Sequence, residues 1–434
     1  MTTFIIQPGG CLHGSPPVAG DKSISHRAIM LAALAEGAST IDGFLEGADC
    51  LATRHAFAAM GVTIESMGQG QMRIHGVGLH GLRAPSLPLD MGNAGTAMRL
   101  LAGLLAGQPF SSTLIGDASL SRRPMRRVTE PLALMGAKIT TTEAGTAPLQ
   151  IHGGQALHGI DYALPVASAQ IKSSLLLAGL YAQGTTSITE PAPTRDHTER
   201  MLQAFGYPLE HATGQVRLSG GGRLNPTAIR IPADISSAAF FLVGASIAEG
   251  SEICLPAVGI NPTRIGVINI LRQMGADIQL DHPRWAGYEP IADIRVRSAP
   301  LQGIVIPEDQ VPLAIDEFPA LFIAAACAQG ETRLTGAAEL RVKESDRIQV
   351  MADGLRRLGI VAEPTADGMI IQGGGLQGGT IDSHGDHRIA MAFAMAGLRA
   401  AQPITINDCA NVATSFPNFA RLAEQAGLAI EVQP

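Results

Sequence analysis

A chain of 434 residues, 46% hydrophobic and only 16% charged, exceeds one ordinary core, so two large domains are expected. Its net charge of −7 argues against nucleic acid or a membrane surface as the main partner, and no apolar run is long enough to span a bilayer. Five scattered cysteines without a CxxC pair read as reduced thiols of a cytoplasmic protein, and the N-terminus carries neither a signal-peptide nor a transit-peptide pattern.

The first predicted element is a strand at Phe4–Pro8. After Pro16-Pro17-Val18-Ala19-Gly20, an apolar helix is expected to open near Ser23, with Ser23 as its N-cap and Glu36-Gly37 closing it. Lys22 and Arg27 then stand at the positive end of a helix, with Ser23 and Arg27 on one face. Cations beside uncapped N–H groups suit a phosphate or carboxylate; a capped surface helix with solvated charges is the plainer alternative.

The same pattern then recurs with a period of roughly seventy residues, a spacing found by the search for internal repeats. A small-residue apolar helix precedes a short β-branched strand, then a second helix ends in a glycine. The apolar helices are expected at Ala28–Ala35, Ala97–Ala106, Ser174–Tyr181, Ala238–Ile247, Ala320–Ala328 and Ile389–Leu398, and the closing glycines at Gly61, Gly136, Gly206, Gly275, Gly359 and Gly427. Each unit reads as a βαβαββ-like module whose apolar helix is buried nearly all round. Six modules divide into two domains of three. The expected division is an inserted domain at 14–230 and a second built from 1–13 and 231–434.

Polar residues gather where each buried helix begins. Besides Lys22-Ser23 and Arg27, they include Asn93, Gly95 and Arg99, then Ser168-Ala169-Gln170, Asp234-Ile235-Ser236, Asp316-Glu317 and Asp386-His387-Arg388. Routine capping explains the Ser, Asp and Asn residues. It does not explain Lys22, Arg27, Arg99 and Arg388, which oppose the helix dipole unless an anion is bound. Two further basic knots occur at 116–127 and 339–347. Solvated charge accounts for Arg122, Arg126 and Arg341, while Arg123 and Arg347 are the better candidates for a two-pronged grip on phosphate or carboxylate. Lys343 and Arg347 are expected on one helical face with Glu344 beside them. His26, His197, His384 and His387 lack ligand spacing, so no metal is expected.

These motifs resemble 5-enolpyruvylshikimate-3-phosphate synthase along essentially the whole chain, with matches at 21–27, 92–99, 116–125, 168–180, 194–199, 316–319, 343–347 and 386–388. The resemblance implies a two-domain, inside-out α/β barrel closing on ligand as a monomer without metal or cofactor. It implies transfer of the enolpyruvyl group of phosphoenolpyruvate to the 5-hydroxyl of shikimate 3-phosphate, with release of phosphate. By motif, Ser23, Arg27, Ser168, Ala169, Gln170, Arg195 and Lys343 would surround shikimate 3-phosphate. Lys22, Asn93, Gly95, Arg123, Arg347 and Arg388 would surround phosphoenolpyruvate. Asp316 would accept the hydroxyl proton, and Glu344 with Lys22 would handle the proton at the methylene carbon. Gly95 leaves room beside phosphoenolpyruvate, as a glyphosate-sensitive site does.

Two positions depart from the family pattern. Ala169 replaces a frequent serine, for which Arg195 would compensate, and Thr414 replaces a frequent lysine. The rival readings are a UDP-N-acetylglucosamine enolpyruvyl transferase and a non-catalytic phosphosugar-binding module. The loop at 116–125 lacks the cysteine of the first, and Asp316 and Glu344 have no use in a pure anion binder.

Overall fold

Six short amphipathic helices each end against a glycine in the left-handed region. These helices are Ala48–Ala59, Arg126–Leu134, His197–Ala204, Gly266–Gln273, Arg347–Arg357 and Phe419–Ala426. The glycines beyond them, Gly61, Gly136, Gly206, Gly275, Gly359 and Gly427, have φ between 74° and 118°, where a Cβ would be strained. The repeat visible in the sequence is therefore a repeat of one backbone turn. The computed structural model describes residues 2–434. They form two compact units, one of Lys22–Ile231 with Ala286–Tyr288, the other of the residues up to Asp21, Pro232–Trp285 and Glu289–Pro434.

In the first unit, three buried helices pack together: α1 (Lys22–Leu34), α2 (Gly95–Ala106) and α3 (Ala169–Gly179). Gly103 makes the α2–α3 approach possible, since a Cβ there would stand 2.0 Å from the Ser174 carbonyl oxygen. Each helix belongs to a module whose sheet has one parallel and two antiparallel pairings. For α1 the order is Ala228–Arg230, Glu36–Asp42, Gln71–Val77, Thr63–Gly68. The sheets that follow α2 and α3 repeat this order around Ser112–Ile115 and Thr185–Thr189.

The second unit is built alike around α4 (Ile235–Ile247), α5 (Phe318–Cys327) and α6 (His387–Ala396), of which α4 and α6 are buried at every position. The N-terminal strand Thr3–Ile6 runs antiparallel between Ile404–Asn407 and Ile430–Gln433, so the two ends of the chain complete one sheet. The chain passes between units at Asp21/Lys22 rather than at 13/14. His13 and Gly14 pair with Glu252 and Ile253, and the Asp21 amide donates to the Pro232 carbonyl, which keep residues 14–21 with this unit.

All six buried helices begin two to six residues before their apolar runs, and in α1, α2 and α3 polar side chains of the first turns are held by hydrogen bonds. Ser23 is accordingly the second residue of α1 and not its cap. Lys343 is not on a helical face with Arg347. It follows the 3-10 turn Ala338–Val342, and the next helix starts only at Arg347, capped by Asp346.

Candidate active site

On the first unit, the start of α1 carries Lys22, Ser23 and Arg27. Lys22 Nζ lies 2.9 Å from Asp49 Oδ2, on the helix that follows. Arg27 is buried, and its guanidinium spans three oxygens: Nη1 donates to the Ser23 carbonyl at 2.8 Å, Nη2 to Ser173 Oγ at 2.8 Å and Nε to Thr198 Oγ1 at 2.7 Å. A planar five-donor group held this way has one fixed orientation. Ser168 caps α3 through a 3.4 Å bond from the Ile171 amide, and Ala169 is the first residue of that helix. Gln170 Nε2 donates to Thr96 Oγ1 at 3.0 Å while its Oε1 accepts from Arg99 Nη1 at 2.9 Å, which ties α2 to α3.

At the start of α2 the preceding residue is Ala94, so no side chain caps the first amides. Arg123 reaches this end. Its Nη2 donates to Asn93 Oδ1 at 2.6 Å, and Asn93 is steadied in turn by a 2.8 Å bond to Asp117 Oδ2. A Cβ built on Gly95 would lie 3.1 Å from both Arg123 Nη1 and Arg99 Nη1, so both guanidinium groups stand over that position. Uncapped amides with two guanidinium groups overhead suit an anionic oxygen. Arg195 is half-buried, between Thr194, whose hydroxyl donates to Glu190, and Asp196.

On the second unit the candidates converge on Asp316. Lys343 Nζ and Arg347 Nη1 each lie 3.5 Å from Asp316 Oδ1, and Arg388 Nη1 donates to the Asp316 carbonyl at 2.9 Å. Glu344 Oε2 takes a 2.7 Å bond from Arg347 Nη2. Arg347 is 1% exposed, and Asp386 holds it from below through Nε (2.8 Å) and Nη2 (3.2 Å). Burial disfavours its charge, yet the Asp386 and Glu344 carboxylates more than offset that, so its proton is held more tightly than in water. Asp386 also caps α6, accepting from the Arg388 amide at 3.0 Å. Cations at these helix starts are thus balanced in part by the protein's own carboxylates, a pairing hidden in the sequence because the partners lie 27 and 39 residues away.

Behind this cluster, Arg264 is buried with Asp21 at 3.0 Å, Asp234 at 3.3 Å and Glu317 at 3.8 Å. Burial and the neighbouring Asp21 raise Asp234 above the ordinary carboxylate range. Of the histidines, His26 Nδ1 pairs with Thr53 Oγ1 at 2.7 Å, and His384 is exposed in a left-handed turn. Arg341 is not simply solvated. It bonds Asp346 at 2.6 Å and the Thr365 and Ala366 carbonyls; Arg126 likewise bonds the Glu143 carbonyl. Thr414 ends a 3-10 turn and returns its hydroxyl to the Asn411 carbonyl at 2.7 Å.

A family model described as EPSP synthase (3-phosphoshikimate 1-carboxyvinyltransferase) matches residues 6–422. A 3-phosphoshikimate 1-carboxyvinyltransferase of Methylococcus capsulatus is 67% identical over 429 residues, 99% of this chain and 98% of the relative. One from Alkalilimnicola ehrlichii is 68% identical over 428 residues, 98% of this chain and 96% of the relative. The solved EPSP synthase of Acinetobacter baumannii superposes with a TM-score of 0.90 at 61% identity, covering 100% of both chains. The enolpyruvyl transferase NikO of Streptomyces tendae, at 16% identity and a TM-score of 0.81, shares the fold.

Proposed function

The chain belongs to the EPSP synthase family and catalyses that family's reaction, and we propose that it does so with the side chains gathered at the starts of its buried helices. The enolpyruvyl group of phosphoenolpyruvate passes to the 5-hydroxyl of shikimate 3-phosphate, a step of the shikimate pathway to aromatic amino acids. The observation that carries the site reading is the meeting of Lys343, Arg347 and Arg388 on Asp316, with Glu344 beside them.

In the forward direction the 5-hydroxyl oxygen adds to C2 of phosphoenolpyruvate as a proton arrives at the methylene carbon, giving a tetrahedral intermediate. Loss of a proton from the resulting methyl group, with departure of phosphate, restores the double bond. Asp316 takes the hydroxyl proton; Glu344, with Lys22, delivers and later recovers the carbon-bound one. Positioned proton transfer of this kind is worth roughly a hundred- to ten-thousand-fold in rate. Ser23, Arg27, Ser168, Ala169, Gln170, Arg195 and Lys343 hold shikimate 3-phosphate, with Arg195 supplying charge where Ala169 lacks a hydroxyl. Lys22, Asn93, Gly95, Arg123, Arg347 and Arg388 hold phosphoenolpyruvate and stabilise the anionic intermediate.

Each unit is read as three βαβαββ-like modules in an inside-out α/β barrel, acting as a cytoplasmic monomer. No described helix is long and apolar enough to cross a membrane. Phosphate release measured with phosphoenolpyruvate and shikimate 3-phosphate, against UDP-N-acetylglucosamine as alternative acceptor, tests the reaction. Release only with the second acceptor would overturn it.

A further inference from the structure

Lys172 is a fully buried lysine on α3, inside an otherwise apolar and small-residue stretch. Its ammonium meets two buried carboxylates, Glu190 Oε1 at 2.7 Å and Glu199 Oε1 at 2.7 Å. Burial disfavours its charge, and the neighbouring Glu199 and Glu190 more than offset that, so Lys172 holds its proton more tightly than in water. None of the three can touch solvent-borne ligand: their side chains are at most 6% exposed.

The position of the triad is informative. Lys172 follows Ser168, Ala169 and Gln170 by two to four residues on the same helix. Glu190 directly follows the strand Thr185–Thr189 and accepts the Thr194 hydroxyl, which fixes the loop immediately before Arg195. Glu199 lies in the helix His197–Ala204 next to Thr198, the acceptor of Arg27 Nε. Two consecutive rungs therefore join α3 to that helix, Lys172–Glu199 and Ser173–Thr198, both 2.7 Å, and the second rung carries Arg27. One ammonium ties together α3, the loop leading to Arg195 and the helix whose Thr198 accepts from Arg27.

We propose that Lys172, with Glu190 and Glu199, is a positioning residue for the acceptor phosphate site, setting Arg195, Arg27 and the start of α3 in one geometry. The inference rests on the enolpyruvyl-transfer reading above. A buried ion triad that only staples the fold would affect stability alone, whereas a positioning triad governs acceptor affinity selectively.

The test compares Lys172→Met, which leaves two buried carboxylates uncompensated, with the triple variant Lys172→Met/Glu190→Gln/Glu199→Gln. The triple variant keeps side-chain volume and removes all three charges together, so no carboxylate is left uncompensated. Steady-state kinetics, shikimate 3-phosphate titration by calorimetry and thermal unfolding are measured on each. The expected result for the triple variant is a KM and Kd for shikimate 3-phosphate raised tenfold or more, with kcat at saturation and the KM for phosphoenolpyruvate within about twofold of the parent. Lys172→Arg, which retains the charge, should recover most of the acceptor affinity. A folded triple variant with unchanged acceptor KM overturns the proposal, as does an equal rise for both substrates. An unsubstituted protein that binds shikimate 3-phosphate yet releases no phosphate would instead overturn the reaction. If Lys172→Met fails to fold, the triple variant and Lys172→Arg decide.

Discussion

Asp386→Asn separates what holds Arg347 from what the reaction needs. Asp386 is fully buried and its two oxygens accept from Arg347 Nε and Nη2, Ser345 Oγ and the Arg388 amide. Asparagine keeps one oxygen, enough to cap α6, but puts an amide N–H against an Arg347 donor whichever way it turns. Breaking a buried ion pair from one side costs about 3–5 kcal/mol, and Glu344, which retains its own bond to Arg347, places the loss toward the lower end. At ~2–4 °C per kcal/mol for a unit of this size, the unfolding midpoint should fall by roughly 6–20 °C. Arg347 would also lose its fixed orientation. A charge-assisted bond is worth about 1.5–3 kcal/mol, so the KM for phosphoenolpyruvate should rise roughly 10- to 150-fold, with the shikimate 3-phosphate KM much less affected. Calorimetric melting and initial rates with each substrate varied would show this. A variant that melts like the parent and keeps its phosphoenolpyruvate KM would refute the assignment of Asp386 as the anchor of Arg347.

Asp316→Ala should bind both substrates and lose roughly a hundred- to ten-thousand-fold in kcat; near-normal turnover removes its role as base. Arg27→Ala should raise the KM for shikimate 3-phosphate roughly 10- to 150-fold and also lower the melting temperature, because a buried guanidinium bonded to three oxygens is lost; an unchanged acceptor KM counts against it. In Gly95→Ala the new methyl sits 3.1 Å from Arg123 Nη1, so the guanidinium must shift and the KM for phosphoenolpyruvate should rise more than that for the acceptor; equal effects on both would contradict the placement of Arg123. Asp234, raised above the ordinary carboxylate range by burial and Asp21, holds its proton to higher pH in the native state than in the unfolded chain. Its contribution to stability therefore declines as pH rises from about 4 through its raised value, and Asp234→Asn should flatten the melting temperature across that window. A parent and variant with parallel profiles would show that Asp234 does not titrate there.

The helix–glycine repeat is legible in the chain because one backbone requirement generates it. A glycine with positive φ must follow every second helix, and a helix buried on all sides must be made of small and aliphatic residues whatever its partner. Both signals are local. The partners at the start of α1 are not legible in the same way: the sequence places Lys22, Ser23 and Arg27 at a helix start, but the Asp49 carboxylate and the Ser173 and Thr198 hydroxyls that hold Lys22 and Arg27 come from distant segments. Spacing alone puts Lys343 on a helix, whereas it follows a 3-10 turn and lies against Asp316.

The opposition between these cations and the helix dipole carries a second lesson. A helix start that bears a cation demands negative charge, and sequence alone suggests that a ligand supplies it. Here the protein supplies part itself: Asp386 under Arg347 and Asp49 beside Lys22. They hold the cations in place before an anion comes, so less ordering remains to be done on binding. The strength of anion binding should then depend on residues that never meet the anion, a dependence that no motif centred on the basic residues would reveal.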